Sequence, residues 1–269
     1  MKKELKILLT GGLLTLIITL STIASINQEN KVETSSEVGL SNTKIGWGIK
    51  RNDNHEQPDL GAKNKELISK YNGMALGNSN DKCIYLTFDM GYEAGYTASI
   101  LDSLKNEGVP ATFFITAHYL NTASDLVKRM IDEGHIVGNH TVNHKSMPDL
   151  SDDEMKKEIM NLNQSLYEKF GYEMKYLRPP KGEFSERSLK ITDSIGLKTV
   201  MWSFAYVDWN EDNQPSQDEA IQKITSNLHN GEIMLLHATS KTNAEIMTKL
   251  IQEIKNQGYE IKSIEDFKE

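Results

Sequence analysis

Two histidines four positions apart, His140 and His144, make the clearest chemical pattern in this chain, within the run Gly-Asn-His-Thr-Val-Asn-His-Lys-Ser-Met-Pro-Asp from Gly138 to Asp149. They follow Ile136-Val137, a short apolar run that reads as the tip of a strand. One helical turn beyond that tip would put positions i and i+4 on one face and aim both imidazoles at one point. Neutral imidazole binds divalent ions of borderline softness, zinc above all. The spacing also arises by chance, so its meaning depends on its company. Four further residues stand where predicted strands give way to loops: Asp89, Arg178, Asp208 and His237. A carboxylate, an always-charged guanidinium and an imidazole with an acid to hold it are the parts of a general acid–base site. Taken singly, each has an ordinary role, the aspartates as turn formers and the histidine as a packed or surface residue.

The elements that must position these residues alternate along the chain. Apolar, β-branched and aromatic runs predict strands over 83–88, 111–115, 136–137, 175–177, 199–202, 233–236 and 260–261. Helical spacing appears over 63–71, 96–105 before Gly108, 124–132 before Gly134, 186–195 before Gly196, 218–228, and 244–255 before Gly258. Ser151-Asp152-Asp153-Glu154 is a capping box that opens a long helix closing near Gly171. Strand following helix in this way predicts a parallel, right-handed α/β architecture, either a closed barrel or an open sheet. In β/α barrels the working residues sit where strands end, and five ionisable residues fall at such exits here.

Composition narrows the choices. The chain has 269 residues, of which 38% are hydrophobic, enough for one large domain with an appendage. Its net charge of -8 provides no basic footprint for nucleic acid. A single cysteine, Cys83, rules out an internal disulfide and a cysteine-based zinc cluster; its place inside a strand reads as packing. The start, Met1-Lys2-Lys3-Glu4-Leu5-Lys6, is net positive and precedes an apolar stretch over 7–23 with small residues at Thr22 and Ala24. Residues 1–25 therefore read as a signal peptide or membrane anchor, which places the remainder outside the cytoplasmic membrane. Residues 26–42 read as a polar tether, 43–80 as an irregular extension packing on the main domain, and 81–266 as that domain.

The order of short motifs resembles a known family. Thr87-Phe88-Asp89, His140-Thr141-Val142-Asn143-His144, Arg178-Pro179-Pro180-Lys181-Gly182, Asp208-Trp209 and Leu235-Leu236-His237 resemble the polysaccharide deacetylases, carbohydrate esterases of family 4 with a NodB homology domain. Trp47-Gly48, Gly91-Tyr92-Glu93 and Phe184-Ser185-Glu186-Arg187 look most like the delta-lactam-biosynthetic de-N-acetylases of bacterial spore cortex. The resemblance implies a deformed (β/α) barrel and hydrolysis of an N-acetyl group on a glycan. It implies Asp89 as catalytic base, Arg178 as the residue pairing with it, His237 as general acid and Asp208 as the group orienting His237. It also implies Leu235 and Trp209 as walls around the acetyl methyl, and His140 and His144 as metal ligands. Pro179 and Tyr92 join the expected substrate-binding set, Tyr92 stacking on a sugar ring.

One position departs from the pattern. The family's first motif has two adjacent aspartates, the second a metal ligand, and here Met90 takes that place. A thioether suits a hard or borderline ion poorly. Three outcomes are open: a divalent ion, zinc first, held weakly by His140, His144 and water or Asp89; a substitute carboxylate, with Glu93 nearest in sequence; or hydrolysis without metal. The expected substrate is peptidoglycan N-acetylmuramic acid freed of its peptide, leading to muramic δ-lactam in an exported spore-envelope enzyme. An N-acetylmuramoyl-L-alanine amidase would act upstream, and the enzyme would be a monomer. A deacetylase of N-acetylglucosamine in peptidoglycan or chitin oligomers, or a glycan-binding protein without chemistry, are the alternatives. His55, His118, His135 and His229 match no motif and read as surface or turn residues, with Lys181 and Glu183 near the mouth.

Overall fold

The computed structural model describes residues 39–269, so the expected leader and most of the tether lie outside the described residues. A short strand β1 (Ile45–Gly46) and helix α1 (Ala62–Lys70) precede the central strand β2 (Cys83–Met90). Then follow α2 (Thr97–Glu107), β3 (Thr112–Ile115), α3 (Ala117–Thr122), α4 (Ser124–Asp132), β4 (Ile136–Asn139), α5 (Asp152–Phe170), β5 (Tyr176–Leu177), β6 (Glu183–Phe184) and α6 (Glu186–Ser194). The chain continues through β7 (Lys198–Thr199), β8 (Phe204–Ala205), α7 (Gln217–Thr225), β9 (Glu232–His237), α8 (Lys241–Asn256) and β10 (Glu260–Ile261).

The main sheet runs β7-β5-β4-β3-β2-β9-β8, with every neighbouring pair parallel, and β10 pairs with the first two residues of β2. Its two end strands are consecutive in sequence. Laid flat, seven strands would span roughly 29 Å at about 4.8 Å per gap. The link from Thr199 to Phe204 reaches at most about 18 Å. The sheet therefore has to curl until its edges approach, as the deformed-barrel expectation requires.

Strand periodicity sorts side chains into two layers. Along β2, Ile84, Leu86, Phe88 and Met90 face the helices and share a core with Ile100, Leu104 and Ile246. Cys83 and Tyr85 face the barrel interior with Met74, Phe114 and Ile233. On β9, Met234 and Leu236 join the outer core and Ile233 the inner one. The expected strand over 199–202 is corrected to Lys198–Thr199, because the chain beyond it crosses between sheet edges; Val200 keeps a single bridge, to Met74. Asp208 thus follows β8, a strand the sequence reading missed. It missed α3 as well, a six-residue helix capped by Thr116, whose hydroxyl accepts from the Tyr119 N–H at 3.2 Å. The capping box of Ser151 and Glu154 and the left-handed stop at Gly171 both form as expected.

Residues ahead of β2 close one side of the barrel. β1 pairs antiparallel with β6, and Trp47, Leu60, Ile68, Phe184 and Leu189 bury a second core. Trp47 Nε1 donates to the Trp202 carbonyl at 2.9 Å, which fixes the segment that carries Trp202.

Candidate active site

Asp89 and His237 occupy the same register position on neighbouring strands β2 and β9. Both belong to the inward-facing set, so the sheet alone delivers a carboxylate and an imidazole side by side. Arg178, one residue past β5 and fully buried, reaches them from across the barrel. Its Nη1 donates to Asp89 Oδ1 at 2.9 Å and to Thr87 Oγ1 at 2.8 Å, while Nε and Nη2 donate to the carbonyls of Val200 and Met201, each at 3.1 Å. The guanidinium also lies 4.3 Å over the Phe114 ring. Burial opposes ionisation of Asp89, but the surrounding positive charge outweighs it and holds the carboxyl below its ordinary 3.8. With His140 itself kept neutral by burial, Arg178 is the lasting part of that charge.

Asp208 is completely buried and holds His237 from behind. Its Oδ1 accepts from His237 Nδ1 at 2.7 Å, and its Oδ2 accepts from the His237 backbone N–H at 2.8 Å and from Asn243 Nδ2 at 2.6 Å. A carboxylate only accepts, so Nδ1 carries a proton and Nε2 is left for chemistry. Burial pushes His237 down, yet the hydrogen bond and charge of Asp208, with Asp89 adding, raise it above the ordinary 6.5. Asn243, in the first turn of α8, and Tyr206, whose hydroxyl bonds to Asn243 Oδ1, complete this support. Neither was visible in the sequence, since an Asn in a helical first turn carries no chemical signature.

The histidine pair converges, by a different route from the one expected. No helical turn follows β4: Thr141 and His144 both take left-handed backbone, with φ of 66° and 54°. For a β-branched residue that conformation costs on the order of 1–3 kcal/mol. Contacts from elsewhere impose it. Asn139 Oδ1 accepts from the Thr141 N–H at 2.7 Å, and Glu158 of α5 grips Asn143 at its backbone N–H (2.7 Å) and side-chain amide (2.6 Å). His140 Nδ1 donates to the Arg178 carbonyl at 2.8 Å, which leaves its Nε2 lone pair 3.1 Å from His144 Nε2. Burial, with the neighbouring His140, pulls His144 down to about 4. Two neutral imidazoles at this spacing fit a divalent ion of borderline softness. Asp89 Oδ2 lies 3.5 Å from His140 Nε2. Among the described residues no set of three His, Cys, Asp or Glu side chains forms a ready-made cluster.

Met90 and Glu93 are both explained by geometry. Met90 is the next residue after Asp89 on a strand, so it points to the opposite face and is buried against the helices. Glu93 is not a substitute ligand: it accepts from the Gly95 N–H at 2.6 Å and from the Tyr119 hydroxyl at 2.8 Å, with Thr97 as a further donor.

Asp89, His140, His144 and His237 open into a cavity of about 1010 Å3. Leu235, Trp202 and Tyr206 form apolar walls, while Trp209 and Tyr92 stand at the rim, 58% and 45% exposed. Pro179 is a correction: it is buried and outside the wall, because it shapes the turn that brings Lys181 there instead. Glu183 is not on the wall and lies 3.4 Å from Lys44. His118, expected on the surface, is exposed but lines the cavity from α3. His135 and His229 are corrections, being buried; His229 Nε2 lies 2.8 Å from Ser203 Oγ.

The polysaccharide deacetylase model matches residues 76–200. Peptidoglycan-N-acetylmuramic acid deacetylase PdaA of Bacillus subtilis is 45% identical over 226 residues, 84% of this chain and 86% of that protein. The chain belongs to the polysaccharide deacetylases. Among solved structures, this deacetylase is similar to Bacillus subtilis PdaA, a family 4 carbohydrate esterase, with a TM-score of 0.82 and 44% identity, covering 85% of this chain and 98% of the other. A family 4 carbohydrate esterase from Bacillus anthracis matches with a TM-score of 0.72 and 41% identity, over 85% of this chain and 97% of its own. The polysaccharide deacetylases are hydrolases of N-acetyl amide bonds and are metal-dependent.

Proposed function

We propose that this polysaccharide deacetylase removes the acetyl group of N-acetylmuramic acid in peptidoglycan strands from which the stem peptide has been cut. What supports the chemistry is the facing pair Asp89 and His237, one biased toward its ionised form and the other toward its protonated form. The choice of sugar follows the PdaA relative, which is named for that substrate.

Water is a weak nucleophile and an amide a weak electrophile, so both ends of the reaction need proton transfer. Asp89 takes the proton from the attacking water, held in place by Arg178. His237 Nε2 gives its proton to the leaving nitrogen as the C–N bond breaks, yielding free amine and acetate. Leu235 and Trp209 receive the acetyl methyl, and Tyr92 meets the sugar at the rim. A divalent ion, zinc in this proposal, would be held by His140 and His144, loosely because no third side chain completes a ready-made ligand cluster among the described residues, and would polarise the acetyl carbonyl.

The freed amine closes onto a lactyl carboxyl only if that carboxyl is unsubstituted, so an N-acetylmuramoyl-L-alanine amidase must act first. The reading places the enzyme outside the cytoplasmic membrane, in a spore envelope, as a monomer on a glycan strand. Among the described residues no helix is long and apolar enough to cross a membrane. The test is acetate release, with products read by mass spectrometry, from intact and peptide-stripped glycan and from chitin oligomers. Release confined to peptide-stripped muramoyl units is expected. Release from N-acetylglucosamine alone would move the assignment to that sugar, and background release equal to that of Asp89→Asn would make the protein a binder. Excess chelator is expected to abolish turnover and added zinc to restore it; turnover indifferent to chelator would remove the ion from the proposal.

A further inference from the structure

Among the described residues lining the cavity, Lys181 is the one lysine or arginine, and hydrolysis as described makes no use of it. It is exposed, and its ammonium forms no ion pair or hydrogen bond with another described residue. Carboxylates are close enough to feel its charge, namely Asp149 and Glu183. Both are already engaged by Lys44, at 2.6 and 3.4 Å. His140 and His144 line the same cavity as Lys181. The backbone makes the presentation deliberate. Lys181 sits at φ 60°, ψ 8°, a left-handed conformation that a glycine would adopt with less strain. Gly182 follows at φ 65°, where an added Cβ would lie 2.6 Å from the Trp202 ring. Strain of this kind at a lysine on a cavity wall points to a use for the side chain.

The substrate offers a partner. In muramic acid the acetamido group and the lactyl ether occupy adjacent ring carbons, so whatever sits next to the acetyl-binding groups meets the C3 substituent. After peptide removal that substituent ends in a carboxylate. With the peptide in place it is a neutral amide, and in N-acetylglucosamine it is a hydroxyl. We propose that Lys181 is the specificity-determining residue that binds the free lactyl carboxylate, so that the enzyme selects muramoyl units already stripped of peptide. This inference depends on the substrate reading above.

Steady-state kinetics of wild type, Lys181→Gln and Lys181→Arg test it on three substrates: peptide-free glycan, the same glycan with its lactyl carboxyls converted to methylamides, and chitin oligomers. On the free-carboxylate glycan, Lys181→Gln is expected to raise KM roughly tenfold, as for loss of one charge-assisted hydrogen bond, with kcat changed by less than about twofold. Lys181→Arg should recover most of the loss, and on the methylamide glycan wild type and Lys181→Gln should have equal kcat/KM. An unchanged KM in Lys181→Gln, or an equal loss on free and blocked glycans, overturns the inference while leaving the proposed function standing. A wild type that deacetylates chitin oligomers but no muramoyl glycan overturns both.

Discussion

The Asp208 carboxylate reaches the chemistry only through His237, so its removal belongs in the pH profile as much as in the rate. His237 must be protonated to act as acid, and its value is raised above 6.5. Activity is therefore present below that raised value and lost as pH climbs through it. In Asp208→Asn the supporting charge is gone and the imidazole can adopt the wrong tautomer; kcat should drop by about 10²–10⁴. The alkaline limb of kcat/KM against pH should also move toward acid, and a limb that stays in place would remove Asp208 from this role. Asp89→Asn should cut acetate release by a similar factor, on the order of 10²–10⁴. It should also cost stability, because Arg178 is fully buried and would lose its counter-charge; roughly 3 kcal/mol by urea unfolding is expected. An Asp89→Asn variant as stable as wild type would mean that the pair contributes nothing to the fold.

Single elements explain why neighbouring residues in sequence have opposite roles. Asp89 points into the cavity and Met90 into the helical layer because side chains alternate along a strand. The same alternation on β9 puts Leu235 and His237 on the wall and Leu236 in the core. β4 has less room. A Cβ on Gly138 would lie 2.6 Å from the Phe114 ring and 3.3 Å from the Tyr176 carbonyl, just before His140. Gly138→Ala should therefore destabilise by about 1–3 kcal/mol through overpacking. It should also weaken zinc binding, measured by calorimetry, since His140 rides on the displaced strand. Retention of both stability and zinc affinity would show that the strand can yield.

Across the whole molecule, the barrel separates a working end from a purely structural one. Glu232 begins β9, five residues before His237, and is completely buried. Its Oε2 accepts from the His229 N–H at 3.1 Å, while its Oε1 has no hydrogen-bond partner among the described residues. Burial raises its carboxyl well above the ordinary 4.5. A carboxyl raised by folding contributes fully below 4.5, where both states are protonated, and loses that contribution as pH rises toward the folded value. Glu232→Gln should thus melt higher than wild type at neutral pH, with the difference vanishing near pH 4, while deacetylation stays unchanged. A constant difference across that range would mean the proton is not the cause.

Much was legible before any coordinates, because it depends on near neighbours along the chain. Apolar, β-branched and aromatic runs, the capping box at Ser151 and the glycine stops are local effects, and they sufficed to place Asp89, His140, Arg178 and His237 at strand exits. The strand carrying Asp208 was misplaced because 199–202 is apolar enough for a strand but crosses between two sheet edges, where no partner backbone accompanies it. The helical turn expected for His140 and His144 failed for a related reason: a left-handed Thr141 is unfavourable locally and exists only because Asn139 and a distant Glu158 hold it. Sequence by itself thus determined which side chains are available and which of them stand where strands give way to loops. Tertiary structure alone decided that Arg178 meets Asp89, that Pro179 gives way to Lys181 on the wall, and that Asn243 backs Asp208. Those contacts join segments far apart in the chain, and their energies appear only once the curled sheet has brought the segments together.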